Sequence, residues 1–363
     1  MKAISLFSGC GGCDFGLKKA GVEVIYANEI MADACKTLQR YFKDADVDNR
    51  DIKQVKAFPK ASIVCGGYPC QSFSMGGNRN PEKDERTNLF KEFARCISEV
   101  NPKFFIAENV SGLKKLEGGR FLEEQMRIFK SCGEKGYNVS AQILDARQFG
   151  VPQNRKRILL VGVRADIKKA FIFPEATHGV PGSGLLPFAS HGEAIKDLPL
   201  WPEGEFYERP HDPTGNWSWY FMSRNRKAPW DGPAYTVVAN WRHVTVHPGS
   251  PTMKLTWSDL KNGFKQRWDF SDEYEHLAIN PKRPFLQKPR RLSWRECARI
   301  QGFPKGFTPH GDVESKFEQI GNAVPPELFR VVAEHLVSGK GLVPLKVIGG
   351  KTIKSEQLWI NYG

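Results

Sequence analysis

Short apolar runs alternate with amphipathic segments over the first 165 residues, and this alternation restricts the fold more than any other feature of the sequence. The apolar runs predict strands at Ala3–Phe7, Val24–Asn28, Ser62–Cys65, Phe104–Glu108, Val139–Leu144 and Arg157–Val163. The segments between them have helical spacing and predict helices at Asp14–Ala20, Ala32–Tyr41, Asn88–Val100 and Phe121–Lys135. Such alternation is typical of an α/β fold, here a doubly wound, mostly parallel sheet with helices on both faces. Ligands of such sheets bind at the carboxyl ends of the strands.

The character of the sequence changes between about residues 172 and 289. This stretch is rich in Pro and Gly, and it holds seven of the nine tryptophans, from Trp201 to Trp268. It predicts a smaller, irregular second domain. Helical spacing returns at Arg291–Gly302 and Pro326–Val337. We therefore predict domain boundaries at 1–171, 172–289 and 290–337, followed by a C-terminal tail at 338–363.

The charge balance indicates a polyanionic partner without identifying it. The chain has 53 Lys and Arg against 40 Asp and Glu, a net charge of +13. No stretch approaches the roughly 18 apolar residues of a membrane span, and the N-terminus lacks a signal-peptide core, which predicts a cytoplasmic protein. The eight cysteines are scattered and are expected to be free thiols. Cys10 and Cys13 have no second Cys/His pair at zinc-ligand spacing, so no metal site is expected.

A glycine-rich loop connects the first predicted strand to the first helix. Residues Phe7 to Gly12 read Phe-Ser-Gly-Cys-Gly-Gly, and Glu29 follows about 20 residues later, at the end of the next strand. Glycines let a backbone approach a ligand, and a carboxylate at this distance is suited to ribose hydroxyls. The pattern fits NAD and S-adenosylmethionine equally well. A tight turn without a ligand is the alternative.

Three further groups of residues fall at the same edge of the predicted sheet. Cys70 lies just beyond the strand that ends at Cys65, so its thiol is a candidate nucleophile, whereas Cys65 is expected in the core. Glu108 ends an apolar run, where desolvation raises a carboxyl pKa, although a helix-cap role is equally open. Arg155 and Arg157 alternate at the start of a strand and are predicted to face one cleft, unless they form a solvated charge run.

The order of these segments resembles the bacterial-type DNA (cytosine-5)-methyltransferases over nearly the whole chain. Six matching stretches carry the resemblance: residues 7–12, Pro69-Cys70-Gln71-Ser72-Phe73-Ser74, Glu108-Asn109-Val110, Gln153-x-Arg155-x-Arg157, Arg291-Leu292-Ser293-x-Arg295-Glu296 with Gln301-Gly302-Phe303-Pro304, and Gly321-Asn322-Ala323-Val324-Pro325. The resemblance implies a Rossmann-like, S-adenosylmethionine-dependent methyltransferase fold. It further implies that 1–171 is the catalytic and cofactor-binding domain, that 172–289 recognises the target, and that 290–337 completes the catalytic domain.

The family mechanism gives each candidate residue a role. Cys70 would add to carbon 6 of cytosine, and Glu108 would hold N3 and the exocyclic amine. Arg157 would bind O2, while Arg155 would assist it and reach a phosphate. The methyl donor implied is S-adenosylmethionine, and the product is S-adenosyl-L-homocysteine.

The resemblance also implies a cofactor pocket in which Phe7 stacks on adenine, Glu29 binds the ribose, and Asp51 and Ile52 lie at the adenine edge. The full implied set is Phe7, Ser8, Gly9, Gly11, Gly12, Glu29, Ile30, Asp51, Ile52, Gly67, Pro69, Asn322 and Val324. The sequence departs from the family at two places. Tyr68 stands where a second proline is frequent, and Arg50 stands where glycine is frequent.

Duplex DNA is the implied partner, with the target cytosine flipped out of the helix because carbon 6 is inaccessible in a stacked base. The segment Met75–Arg86 would be the mobile loop that closes over DNA. The implied DNA-binding residues are Ser72, Arg79, Arg86, Arg224, Arg226, Thr236 and Arg242. The residues around Met222–Val237 are similar to members that modify GGCC. We expect a monomer, which functions in a restriction-modification system alongside a cognate endonuclease.

Three other readings remain open from the sequence. A tRNA cytosine-5 methyltransferase would share the fold and the chemistry. A catalytically silent DNA-binding relative would share the fold alone. A dehydrogenase would use the glycine-rich loop, but it offers no role for Pro69-Cys70-Gln71.

Overall fold

The computed structural model of the chain describes residues 1–69, 88–206, 217–261 and 265–345, together with the backbone of two short strands after them. The side chains of 114–117 are outside this description. The chain divides into two compact units. Unit 1 comprises Met1–Asp145, Lys156–Glu175 and Pro326–Gly363, and unit 2 comprises Ala146–Arg155 and Ala176–Pro325.

The strands and helices are numbered here along the described chain. The strands are β1 Lys2–Leu6, β2 Glu23–Asn28, β3 Asp46–Asp48, β4 Ile63–Gly66, β5 Phe104–Val110, β6 Tyr137–Asp145, β7 Lys156–Arg164, β8 Lys169–Phe171, β9 His178–Gly179, β10 Leu186–Pro187, β11 Met253–Asp259, β12 Lys265–Phe270, β13 Leu342–Pro344, β14 Val347–Ile348 and β15 Lys351–Thr352. The α-helices are α1 Gly12–Lys19, α2 Ala32–Tyr41, α3 Leu89–Val100, α4 Arg120–Lys130, α5 His191–Ile195, α6 Trp219–Met222, α7 Glu275–Ile279, α8 Trp294–Gln301, α9 Val313–Asn322 and α10 Pro326–Val337. No helix of the described residues is long and apolar enough to cross a membrane.

Unit 1 is built on a seven-stranded sheet with the order β3-β2-β1-β4-β5-β7-β6. The first five of these strands run parallel, and β7 runs antiparallel to both β5 and β6. The predicted α/β fold with a mostly parallel sheet is therefore confirmed. Since β7 is reversed, its first residues lie at the edge where β5 ends, and Arg157 pairs with Val110.

Helix α3 shows how the apolar pattern fixes the packing of this unit. Its buried residues recur at three- and four-residue spacing, and the helix ends at Asn101, whose φ of 51° is left-handed. Phe93 is fully buried among the rings of Phe105, Phe129 and Tyr68. Burying each ring contributes about 1.5–3 kcal/mol, so the core holds α3 and α4 against the sheet.

Many short elements of the structure are absent from the sequence prediction, and strand β3 and helix α9 are two of them. Strand β3 has three residues, two of them aspartates, and such a short, charged strand gives no apolar pattern. Helix α9 was not predicted either, although Asp312 caps it by accepting a hydrogen bond from the Ser315 amide. The predicted helix at Arg291–Gly302 begins later, at Trp294, because Ser293 and Glu296 form a capping box.

Unit 2 has a polar core around α8. The Arg290 guanidinium donates two hydrogen bonds of 2.8 Å to the Glu296 carboxylate, and both side chains are almost fully buried. His247 lies 3.5 Å from Glu296 through Nε2, and its Nδ1 accepts from the Gly249 amide. The imidazole of His191 is also buried and meets the Gly232 carbonyl at 3.0 Å.

Unit 2 is expected to lose stability in mild acid. Burial lowers the pKa of His191 to about 4, and burial, aided by Arg290, lowers the pKa of His247 well below its ordinary value. Both rings are neutral in the fold and protonate readily once unfolded, so their contribution is complete above about pH 6.5 and declines as the pH falls. We expect urea unfolding, followed by tryptophan fluorescence, to show a loss of about 2–4 kcal/mol between pH 7 and pH 5. An unfolding free energy that is equal at both pH values would contradict this.

Candidate active site

The glycine-rich loop at the carboxyl end of β1 has an unusual backbone. Phe7 has a φ of 53°, and Gly9 and Gly11 have φ values of 55° and 92°. A phenylalanine in the left-handed region is strained, which is typical of functional loops. The Ser8 hydroxyl donates to the Ser5 carbonyl at 3.1 Å and so ties the loop to β1.

Glu29 at the end of β2 is fixed against this loop. One of its carboxylate oxygens accepts a hydrogen bond from the Gly9 amide, and the other accepts from the Met31 amide, each at 2.8 Å. These two hydrogen bonds fix the orientation of the Glu29 carboxylate. Ile30 beside it is 67% exposed. The structure therefore brings together the predicted residues Phe7, Ser8, Gly9 and Glu29.

The segment that carries Asp51 and Ile52 is held by the end of β3. Arg50, the departure from the family pattern, donates through Nε and Nη2 to the two oxygens of Asp48, at 2.9 and 2.6 Å. Asp48 also accepts from the Tyr26 hydroxyl. Asp51 accepts from the Lys53 amide and caps a short 3₁₀ turn that begins at the buried Ile52. The ion pair between Arg50 and Asp48 therefore restrains this turn, whereas a glycine at position 50 would leave it less restricted.

Glu108 and Arg157 form an ion pair at the carboxyl edge of the sheet. Arg157 Nε lies 2.7 Å from Glu108 Oε1, and the two side chains are only 14% and 9% exposed. Burial lowers the pKa of the Arg157 guanidinium, and the adjacent Glu108 carboxylate opposes that shift. The reversed direction of β7 is the reason that residues 49 positions apart in the chain meet here. The pair offers both a carboxyl group and guanidinium N–H donors in a largely dry environment.

The backbone that leads to Cys70 packs against this pair. A Cβ on Gly67 would lie 2.7 Å from Glu108 Oε2, so only glycine allows the carboxylate to lie this close. Asn109 Nδ2 donates to the Tyr68 carbonyl at 3.2 Å. The Tyr68 ring is buried and its hydroxyl bonds to Gln125. Tyr68 therefore anchors the segment in the core where many family members have proline.

Replacing Gly67 by alanine is expected to slow catalysis while leaving the fold intact. The added methyl must displace the Glu108 carboxylate, and displacements of this size cost about 10- to 100-fold in rate. Steady-state methyl transfer and urea unfolding measure the two effects separately. Gly232→Ala is the control, since its nearest neighbours lie 3.2 and 3.9 Å away and it is remote in sequence from the pair. Equal activity of Gly67→Ala and the wild type would show that the close approach has no catalytic role.

The predicted residues Cys70, Ser72, Arg79 and Arg86, with the loop Met75–Arg86, lie outside the described residues. The described chain reaches Pro69, four residues from the buried Cys65. Seven of the eight cysteines are described, and all seven are free and buried. Burial raises the pKa of every one of these seven thiols. None of them is therefore suited to act as a thiolate at neutral pH.

Arg155 belongs to unit 2 and directly precedes β7, which begins at Lys156. Its side chain is 2% exposed, and its guanidinium donates to the carbonyls of Val237, Gly321 and Ala323, each at 2.9 Å. These contacts hold unit 2 together, and the predicted contact of Arg155 with phosphate stays a prediction.

Arg155 contacts two other predicted segments within unit 2, Thr236-Val237 and Gly321–Val324. The Thr236 hydroxyl donates to the Asn154 carbonyl, and the Val237 amide donates to Gln153 Oε1 at 3.1 Å. Asn322 is exposed and Val324 is buried beside the carbonyls that Arg155 binds. The Thr236-Val237 segment and the Gly321–Val324 segment are thus adjacent, although about 85 residues separate them in the chain.

The predicted arginines of unit 2 differ in their surroundings. Arg224 and Arg242 are exposed, and Arg242 packs over the ring of Trp241. Arg226 is partly buried, donates to the Phe221 carbonyl at 3.0 Å, and packs over the Phe221 ring. Sequence reasoning missed Tyr220 and His243, which lie beside these arginines. The high aromatic content of the region was the only signal for them.

A Rossmann-like sheet with a reversed seventh strand, a glycine-rich loop and a buried carboxyl–guanidinium pair at one edge defines a nucleoside-dependent transferase of the methyltransferase type. The family model for C-5 cytosine-specific DNA methylases matches residues 1–338. The chain belongs to this family and is a DNA (cytosine-5)-methyltransferase.

Individual relatives agree with this assignment. The chain is 35% identical over 372 residues to the Type II methyltransferase M.BspRI of Lysinibacillus sphaericus, covering 92% of this chain and 80% of that protein. It is 36% identical over 346 residues to M.FnuDI of Fusobacterium nucleatum, covering 93% and 94%. The Dnmt2 methyltransferase of S. pombe has the same fold, with a TM-score of 0.63 and 17% identity over 94% of this chain and 99% of that one.

Proposed function

We propose that the enzyme methylates carbon 5 of a flipped-out cytosine in duplex DNA through a covalent bond between Cys70 and carbon 6. The buried ion pair of Glu108 and Arg157 is the observation that carries this proposal. The Glu108 carboxylate of this pair lies against Gly67, which precedes Cys70 by three residues in the sequence. A flat ring with adjacent nitrogen and oxygen atoms is suited to such a pair.

The residues of unit 1 fit S-adenosylmethionine as the donor. The fixed carboxylate of Glu29 is suited to ribose hydroxyls, and the strained loop at Phe7 and Gly9 leaves backbone and ring surface for an adenosyl group. Asp51 and Ile52 would lie at the adenine edge, with Ser8, Gly11, Gly12, Ile30, Gly67 and Pro69 lining the site. When bound, the donor supplies an electrophilic methyl group to carbon 5. The roles of Asn322 and Val324 in this pocket stay predictions.

The proposed reaction has two stages, addition of Cys70 to the ring and elimination after methylation. The Cys70 thiolate forms a bond to carbon 6, and the electron pair of the C5–C6 double bond makes carbon 5 nucleophilic. Glu108 holds N3 and the exocyclic amine and supplies a proton as negative charge develops on the ring, while Arg157 donates to O2. After methylation, water takes the proton from carbon 5, the bond from sulfur to carbon 6 breaks to release the Cys70 thiolate, the double bond is restored, and the proton on N3 returns to Glu108.

Unit 2 would recognise the DNA sequence. The exposed arginines Arg224 and Arg242, with Arg226 and Thr236, are candidates for guanine edges and phosphates, and Ser72, Arg79 and Arg86 are candidates near the flipped base. The relatives are named Type II methyltransferases, which supports a role in a restriction-modification system. The residues around Met222–Val237 support GGCC as the target. One flipped base needs one cleft, so a monomer is proposed.

Transfer of label from S-adenosylmethionine to unmethylated genomic DNA tests this function, with the wild type compared with Cys70→Ser. We expect labelled 5-methylcytosine with the wild type and none with the variant, and sequencing of the modified positions gives the target. Methylation of tRNA in place of duplex DNA would overturn the proposed substrate. A folded wild-type protein that binds DNA but transfers no methyl group would overturn the enzymatic proposal.

A further inference from the structure

Aromatic and cationic side chains of unit 2 cluster around two adjacent rings, Tyr220, which is exposed, and Phe221, which is buried. Tyr220 on α6 is 58% exposed, and Arg226 packs over its ring at 5.9 Å. The next residue, Phe221, is covered by the same Arg226 at 4.9 Å and by Arg291 at 4.4 Å. Two guanidinium groups therefore share one short aromatic platform. We call this set the Tyr220 cluster.

His243 completes the Tyr220 cluster. It ends a 3₁₀ turn, Trp241–His243, that Asn240 caps by accepting from the Arg242 amide. Its ring stands edge-on to Tyr220, with the ring centroids 5.4 Å apart, and the residue is partly exposed. Because the cap and the Tyr220 ring position the imidazole, His243 is a fixed part of the surface.

The charged groups that lower the pKa of His243 are positive. Burial and then Arg226, Arg291, Arg242 and Arg224 lower the pKa of its imidazole. Helix α9 also packs against the Trp241–His243 turn, and its charged residues Glu314, Lys316 and Glu318 are not among the groups that shift this pKa. The lowered pKa therefore favours the neutral imidazole in the free protein.

We infer that the Tyr220 cluster binds a DNA phosphate and that this contact draws a proton from solvent onto His243. This inference rests on the proposed function, in which duplex DNA is the partner. A phosphate neutralises the field of the arginines and accepts a hydrogen bond from a protonated ring, so the bound state favours imidazolium. The affinity for duplex DNA then rises as the pH falls, between the pKa of the bound protein and the lower pKa of the free protein.

The test is duplex binding measured by fluorescence anisotropy from pH 8 to pH 6 at constant salt. We expect wild-type binding to tighten by about three- to tenfold over this range, since one proton taken up gives at most tenfold per pH unit. Calorimetry in two buffers of different ionisation enthalpy counts the protons, and we expect uptake of up to one proton. The salt dependence of His243→Gln should be weaker by about one phosphate contact.

The variants separate charge from structure. His243→Gln should bind more weakly at pH 6 and show no pH dependence, and His243→Lys, which carries a permanent charge, should bind tightly at both pH values. His310→Gln is the control, because His310 is exposed on another part of unit 2, and this variant should keep the wild-type profile. An unchanged pH dependence in His243→Gln, or none in the wild type, would overturn the inference but not the proposed function. No binding of duplex DNA at any pH would overturn both.

Discussion

Replacing Glu108 by glutamine is expected to reduce methyl transfer by about 10²- to 10⁴-fold, the range that loss of a general acid typically produces. The substitution preserves the size of the side chain and an oxygen acceptor for the Arg157 Nε, which now lies 2.7 Å from the carboxylate. It also keeps the contact with Gly67. An amide cannot deliver a proton to N3 of the ring. The loss should therefore appear in the rate constant of the methyl-transfer step, measured in single-turnover reactions at saturating DNA and donor.

A second Glu→Gln substitution distinguishes the loss of the catalytic acid from the effect of replacing a glutamate elsewhere in unit 1. Glu124 on α4 is exposed, and Glu124→Gln should retain wild-type activity. The unfolding free energy of Glu108→Gln should lie within about 1 kcal/mol of the wild type, because Arg157 keeps a hydrogen-bond acceptor. If Glu108→Gln is fully active, Glu108 is not the acid. If it is inactive but also unfolded, the ion pair is structural and the catalytic assignment of Glu108 fails.

Replacing Arg155 by methionine is expected to unfold unit 2 or to destabilise it by more than about 3 kcal/mol. The guanidinium donates to the buried carbonyls of Val237 and Gly321 and shares the Ala323 carbonyl with Gln301, and each buried acceptor left unpaired costs about 1–3 kcal/mol. Eight of the nine tryptophans lie within unit 2, from Trp201 to Trp294. Urea unfolding followed by tryptophan fluorescence therefore reports on this unit.

Arg155→Lys should fall between the wild type and Arg155→Met, because an ammonium group cannot reach three carbonyls in the geometry of a guanidinium fork. Arg224→Met is the control for loss of a positive charge in the same unit, and a change below about 0.5 kcal/mol is expected at this exposed position. A stable Arg155→Met protein with weakened DNA binding would instead favour the phosphate contact predicted from the sequence.

The sequence was sufficient to predict the fold of unit 1 because its strands are apolar and its helices are amphipathic. The meeting of Glu108 with Arg157 was predictable in part, since both lie at strand ends. The surroundings of Arg155 were not predictable, because it precedes β7 and its partners Val237, Gly321 and Ala323 lie more than 80 residues away in the sequence.

Unit 2 was less predictable for a different reason. Its hairpin of β11 and β12 and its short helices carry exposed aromatic residues, so they lack the period that marks a strand or helix with one buried face. Its ion pairs also join residues that are far apart in the sequence, such as Arg299 with Asp197 and Lys227 with Glu275. Spacing within the sequence carries no information about such pairs.

Formation of a covalent bond between Cys70 and a cytosine that carries fluorine at carbon 5 tests the central claim most directly. Fluorine cannot leave as a proton does, so the last stage of the reaction is blocked and the adduct accumulates. The wild type, incubated with S-adenosylmethionine and a duplex containing this base at the target position, should form a stable complex whose peptide map places the DNA on Cys70. Cys70→Ser should form none. Methyl transfer by the wild type without an adduct, or an adduct on another residue, would contradict the account.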